Sequence, residues 1–367
     1  MNPVLKTLLV LAASGVLFLG GFSFKDLRSG RLPGSSAFAQ AVPVTNKAAV
    51  KKTPTQIFSE EFTRISNQYA GDSDPKSLAS AGFQGMMNAL GDPHSIFMEP
   101  VFAREFEDST QGRQFFGGIG ARLSPDLLGV KVIQVFKGSP ALQGGIRSGD
   151  VIIGVNGEDV QGKDVDEIVG KIKGEIGTSV KLLVLRNGKD KVNFELKRDK
   201  IIPPSADANV IENTNVGYVL VTGFEAPTPR QFAEAIQELE DKKIEGLVID
   251  LRNNPGGLLE SAARMLSLFI DYKPVVTVIS RGDVKEVVNS TGGMAKAFKY
   301  PVTILLNEQS ASAAEIFAGV LRDYKLATLV GEHTYGKASV QNVIPLVDGS
   351  SVKITVAHYK LPNGDDI

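Results

Sequence analysis

The chain has 367 residues, 43% of them hydrophobic and 22% charged, with a formal net charge of -1. That length suits two or three domains with real cores, which excludes wholesale disorder, and no basic block is long enough to track a nucleic-acid backbone. Cysteine is absent and histidine is limited to His94, His333 and His358, so disulfides, a thiol nucleophile and a zinc-thiolate site are excluded, and no metal or other cofactor is expected.

The first forty residues stand apart. Lys6 precedes an apolar run from Thr7 to Phe24, and Lys25, Arg28 and Arg31 follow it. Eighteen helical residues span about 27 Å, close to a bilayer core. Residues 1–40 therefore read as an export signal, with Ala37-Phe-Ala39 as the cleavage site, or as an uncleaved anchor. Either reading puts the protein in a bacterial envelope, periplasmic or extracytoplasmic, with the membrane as a partner of the N-terminal segment. Residues 41–54 are small and polar and read as a linker.

Helical spacing runs from Thr55 to about Glu107. Ile57, Phe58, Phe62 and Ile65 share one face, and Leu78, Phe83, Met86, Met87 and Leu90 share another. Asp92-Pro93 is expected to stop the second helix. From Gly112 to Asp199 short apolar runs are split by glycines. GVKVIQVF (129–136) and VKLLVLRNG (180–188) alternate as strands, VIIGVNGEDV (151–160) carries an Asn156-Gly157 hairpin turn, and Val165–Ile172 has helical spacing. Residues 200–367 alternate strands with helices. The strands are GYVLVTGF (217–224), GLVIDLR (246–252), PVVTVIS (274–280) and PVTILLN (301–307). The helices are Thr228–Lys242, one near Leu258–Phe269, and Ala313–Tyr324, which predicts an α/β core.

Four segments carry chemistry. In NEQSASAAEIF (307–317) a buried strand turns into a helix at Ser312. A serine there sits beside the free N–H groups and positive end of the helix, as a nucleophile would, although Ser312-Ala-Ala-Glu315 is equally a capping box and Ser310 is an alternative cap. In GEHTYGKASVQ (331–341) strand alternation puts Lys337, Ser339 and Gln341 on one face. A lysine activates serine only if its pKa falls from about 10.4 toward 7–8, roughly 3–5 kcal/mol of environment, and burial without a carboxylate partner acts that way. The Gln341 amide oxygen can orient such an amine without adding charge. DLRNNPGG (250–257) is a side-chain-free turn in which Gly256 or Gly257 offers an oxyanion N–H. FFGGIGARL (115–123) is a glycine loop entering a strand, suited to a peptide's terminal carboxylate.

Together these segments resemble the C-terminal processing, or tail-specific, serine peptidases, a PDZ-containing family (S41). The likeness rests on SASAAEIFAGVLRDY, on GEHTYGKASVQ lying 25 residues beyond Ser312 at Lys337, on DLRNNPGG, on FFGGIGARL…GIRSGDVIIGVNG, and on LGDPHSIFMEP (90–100). It covers roughly residues 55–367. It implies a ClpP/crotonase-like α/β protease core over 200–367, an inserted PDZ domain over 112–199 and an N-terminal helical region over 55–111. It implies that Ser312 attacks, Lys337 is the base and Gln341 orients it, that Ala313 with Gly256 or Gly257 forms the oxyanion hole, and that Glu315, Asp323 and Thr334 support the site. Phe116, Gly117, Gly118, Ile119 and Gly120 would bind the C-terminal tail of a protein substrate. His333 stands where the family often has proline, which leaves a Ser-His hydrolase open. A PDZ scaffold with an inactive core is a further alternative. The family's core continues past the turn at which this chain stops, so residues beyond Ile367 are expected to complete it. Substrate identity is unspecified, and a homo-oligomer remains open.

Overall fold

A computed structural model describes residues 52–367. The expected signal or anchor at 1–40, its cleavage site, and most of the 41–54 linker lie outside the described residues. Among the described residues no helix is long and apolar enough to cross a membrane. The chain divides into two compact units at Ser73/Asp74.

The first unit holds one described helix, α1 (Pro54–Gln68). Pro54 occupies its first turn, and Thr53 and Gln56 close a reciprocal capping box at 3.3 and 2.9 Å. None of its residues is buried.

The second unit opens with α2 (Pro75–Ala89), capped by Asp74, whose carboxylate accepts from the Lys76 and Ser77 N–H groups. The helix ends earlier than Asp92-Pro93 predicts. Gly91, at φ +66°, turns the chain just after Leu90. Asp92 then organises its own turn, accepting from His94 N–H at 3.0 Å and the Ser95 hydroxyl at 2.6 Å. That turn feeds a three-residue strand, β1 (Ile96–Met98), inside the stretch read as helical, and α3 (Pro100–Thr110) follows.

The middle of the chain is a β module. β2 (Phe116–Gly118) pairs with β9 (Asp199–Ile201) and joins its two ends. Between them a sheet runs β3 (Ala121–Asp126), β4 (Gly129–Val135), β5 (Val151–Val155), β7 (Ser179–Arg186), β8 (Asp190–Lys197), with β6 (Glu158–Asp159) folded back on β5. Asn156 (φ +52°) and Gly157 (φ +86°) form the expected hairpin turn. Period-two alternation along β4 and β7 buries Val130, Val132, Val180, Leu182 and Val184 against α4 (Pro140–Gln143) and α5 (Val165–Ile172).

The rest is α/β in two sheets rather than one. A mainly parallel sheet runs β10 (Ala206–Val210), β11 (Val216–Val221), β12 (Gly246–Asp250), β15 (Val302–Leu306), β16 (Thr328–Gly331). Its helices are α6 (Thr228–Asp241), α7 (Leu259–Leu266) and α8 (Ala313–Asp323). A separate antiparallel sheet runs β1, β18 (Ser351–Lys360), β13 (Pro274–Ser280), β14 (Val284–Asn289), with β17 (Ser339–Pro345) also on β18. One hydrophobic core joins these layers. Phe317 of α8 is its aromatic centre, 5.9–6.0 Å from Phe224, Phe232 and Phe269. Residues 313–321 of α8 are all buried, so the helix is held by packing on every side.

Candidate active site

Ser312 stands at the junction of β15 and α8. The turn before it is braced by Ser310, which accepts from Asn307 N–H at 3.0 Å and donates to Leu251 O at 2.8 Å. Ser310 therefore holds the turn and is not the helix cap. Ser312 itself has φ +54° and ψ −116°, a conformation that side-chain-bearing residues rarely adopt and that only a well-determined surround maintains. Glu315 accepts the Ser312 N–H at 2.7 Å, which is the carboxylate half of a capping box. The Ser312 hydroxyl makes no cap hydrogen bond of normal geometry.

Beside it runs the Arg252–Gly257 turn. Buried Asn254 shapes this turn, donating to Val221 O at 2.8 Å and accepting Gly256 N–H at 2.9 Å. Gly256 (φ +95°) is pressed against the serine: a Cβ on it would lie 2.8 Å from Ser312 Cβ and 2.9 Å from Ala313 N. Because Asn254 occupies the Gly256 N–H, Gly256 is a poor oxyanion donor. The N–H groups of Gly257 and Ala313 have no partner among the described residues.

Glu315 also holds the lysine segment. Its buried carboxylate accepts the Thr334 hydroxyl at 2.7 Å, Gly336 N–H at 2.7 Å and Lys337 N–H at 3.0 Å. One carboxylate thus ties the serine's own N–H to the loop that carries the lysine, with charge-assisted bonds. Lys337 and Ser312 line one cavity of about 820 Å³, together with Gly257, Gln341, Lys353 and Tyr359. Burial, and then the neighbouring Lys353 ammonium, push the Lys337 pKa down, while Asp92 and Glu315 oppose that. No hydrogen bond joins the Ser312 hydroxyl to the Lys337 amine among the described residues.

Gln341 departs from the expected geometry. The strand starts at Ser339, after Lys337, and a register shift falls between Val340 and Gln341, so plain alternation does not relate 337 to 341. The amide nitrogen of Gln341 donates to the Ser339 hydroxyl at 2.8 Å and the Thr355 hydroxyl at 3.2 Å, and no hydrogen bond links it to Lys337. Gln341 still lines the cavity, and its amide oxygen has no protein partner among the described residues.

A second concavity, of about 200 Å³, lies between β3 and α5. β3 is an edge strand of its sheet. Phe116, Gly118, Ile119 and Gly120 line the groove with Val169 and Lys173, while Gly117 packs away from it, its Cα side against Gly174 O. The carbonyls of Ile119 and Gly120 accept from Ala141 and Phe136. That leaves the Ile119 and Gly120 N–H groups without protein partners among the described residues, next to an edge on which a strand can be added.

The model of peptidase family S41 matches residues 215–367, and a PDZ domain model matches 131–186. Carboxy-terminal processing protease CtpB of Bacillus subtilis is 35% identical over 98% of this chain and 75% of its own length. The chain belongs to peptidase family S41. Carboxy-terminal processing protease CtpA of the same organism is also 35% identical, over 84% of this chain and 65% of its own length, so the chain spans about two thirds of that relative. A solved Bacteroides fragilis structure assigned as an S41 protease shares the fold at TM-score 0.52 and 12% identity, covering 83% of this chain and 86% of that one.

Within this S41 chain the structure brings together Ser312, Ala313, Gly257, Glu315, Thr334, Lys337 and Gln341. It does not bring Asp323, which was expected to support the site. Asp323 ends α8, about 16 Å of helix from Ser312, and its carboxylate accepts from Arg322 at 2.8 Å and from Asn363 N–H at 3.2 Å. His333 is exposed and absent from the cavity lining. Four residues at the candidate site were not singled out for a role there from sequence: Asn254, Lys353, Tyr359 and Asp92. The Asp-Pro-His-Ser pattern does announce a self-bonded turn. Lys353 and Tyr359 gave no local signal, because β18 reaches the site only once it is paired with strands distant in sequence.

Proposed function

We propose that the chain is a serine endopeptidase that cuts proteins near their C-termini, with Ser312 as nucleophile and Lys337 as general base. The observation that carries this reading is the single carboxylate of Glu315 binding both the Ser312 N–H and the Lys337 segment, beside a lysine whose surroundings disfavour its charge. Neutral Lys337 takes the hydroxyl proton as Ser312 Oγ bonds to the scissile carbonyl carbon. The oxyanion is met by the Ala313 and Gly257 N–H groups at the positive end of α8. The Lys337 ammonium then returns its proton to the leaving amine as the C–N bond breaks, and water releases the acyl group from Ser312. The free oxygen of Gln341 is available to orient the amine. The groove between β3 and α5 holds the substrate's tail, its terminal carboxylate on the Ile119 and Gly120 N–H groups.

The test is incubation of an unstructured protein tail with wild type, Ser312→Ala and Lys337→Ala, with fragments identified by mass spectrometry. Wild type is expected to release defined C-terminal fragments and both variants none. Full cleavage by either variant overturns the assignment, and tail binding without cleavage by wild type favours a PDZ scaffold. We also place the protein in the bacterial envelope, on the strength of the apolar run Thr7–Phe24. A reporter fused after residue 54 should be active outside the cytoplasm, and cytoplasmic activity contradicts that placement.

A further inference from the structure

Tyr359 has no place in the chemistry above, yet it is 2% exposed and lies within the cavity that holds Ser312 and Lys337. Its phenol donates to the Lys337 carbonyl, and its backbone N–H donates to Ala338 O at 3.0 Å. Ser312 lines the same cavity as the phenol. The peptide of Lys337 is therefore gripped at both ends: Glu315 holds its N–H and Tyr359 its C=O. Glu315 also reaches Ser312, at the backbone N–H. Residues 333–338 form no regular structure, so their placement rests on such bonds. A lysine side chain with four rotatable bonds is aimed only as well as its backbone is fixed.

We infer that Tyr359 is a positioning residue that fixes the Lys337 backbone beside Ser312, an assignment that rests on the Ser-Lys reading above. The grip needs a protonated phenol. Burial and the Glu315 carboxylate both raise the Tyr359 pKa above its ordinary value, so the grip persists over the alkaline range in which Lys337 loses its proton. Tyr300 supplies a matched comparison. It packs against the same core, and its hydroxyl is buried without a hydrogen-bond partner.

The experiment compares Tyr359→Phe with Tyr300→Phe in the full chain. It measures steady-state cleavage of a protein tail, the rate at which diisopropyl fluorophosphate labels Ser312, and the affinity of the groove for a tail peptide. Tyr359→Phe keeps the ring and loses only the hydroxyl. A displaced reacting group costs on the order of 100-fold in rate. Tyr359→Phe should therefore lose kcat by that order with KM and peptide affinity unchanged, and Ser312 labelling should slow in parallel. Tyr300→Phe should match wild type. Labelling and kcat within twofold of wild type, or faster, overturn the inference, as does an equal loss in Tyr300→Phe. If wild type is labelled but cleaves no protein, the proposed function fails while the labelling ratio still decides the role of Tyr359. A wild type that is neither cleaving nor labelled overturns both.

Discussion

Lys337 is half-buried, with a second lysine and an aspartate acting on it in opposite directions. Lys353 lines the same cavity, its ammonium 5.3 Å from the Phe106 ring centre, and is itself pushed toward neutrality by burial. Asp92 is held ionised, its pKa lowered to about 2 by hydrogen bonds from Ser95 above all, then Thr355 and His94. In the proposed mechanism Lys337 acts only when neutral, so activity should rise with pH through its pKa. Lys353→Met removes a charge that disfavours the Lys337 ammonium, raises that pKa and moves the rising limb of kcat/KM to higher pH. Asp92→Asn moves it lower. Coincident limbs in the three pH profiles would show that neither charge acts on the base. The same sign governs stability. A lysine with a lowered folded pKa binds fewer protons folded than unfolded, so its burial is least favourable below that folded pKa and relaxes as pH rises from there toward about 10.4. At this scale the sequence reveals residues whose neighbours along the chain carry the signal: Ser312 with Glu315, and Lys337 with Thr334. It hides Tyr359 and Lys353, whose partners lie in other elements, and it misleads for Asp323, because membership of a motif does not say which end of an eleven-residue helix faces the cavity.

The elements that present the site are two strand-to-helix turns and one loop. The β15–α8 turn is tight because Ser310 bonds to Asn307 and to Leu251 just past β12, while Asn307 bonds to Asn253. The Arg252–Gly257 turn fits against it only because Gly256 lacks a side chain. Ala at 256 would bring its Cβ within 2.6 Å of Ala311 O and 2.8 Å of Ser312 Cβ at a φ of +95°. Gly256→Ala should therefore cost about 1–3 kcal/mol of stability from backbone strain and abolish cleavage through displacement of Ser312. Thermal unfolding and a cleavage assay check both, and a fully active variant would contradict this packing. Long apolar elements were legible in chain order: α5, α6, α8, β5, β12 and β13 fall where periodicity and turn residues put them. β1 was not, since three residues are too few for a period, and the end of α2 was set by Gly91 rather than by the more conspicuous proline. The bulge at Val340/Gln341 was equally silent, because alternation in sequence carries no register.

Across the whole molecule, the residues that line the cavity arrive from different layers. Ser312 comes from the mainly parallel sheet and its helix, while Gln341, Lys353 and Tyr359 come from the antiparallel sheet centred on β18. Alternating strands and helices foretold an α/β core but not its division, since β13 and β15 read alike as apolar runs and only pairing assigns them to separate sheets. In the proposed mechanism these layers together make Ser312 reactive through Lys337. The most direct measurement is site-mapped labelling of Ser312 by a serine-reactive fluorophosphonate across pH. Wild type should be labelled at Ser312 alone, with a rate that rises on a limb below the ordinary lysine range, and Lys337→Ala should lose the label. Equal labelling of Lys337→Ala, or labelling of wild type at another serine, would contradict it.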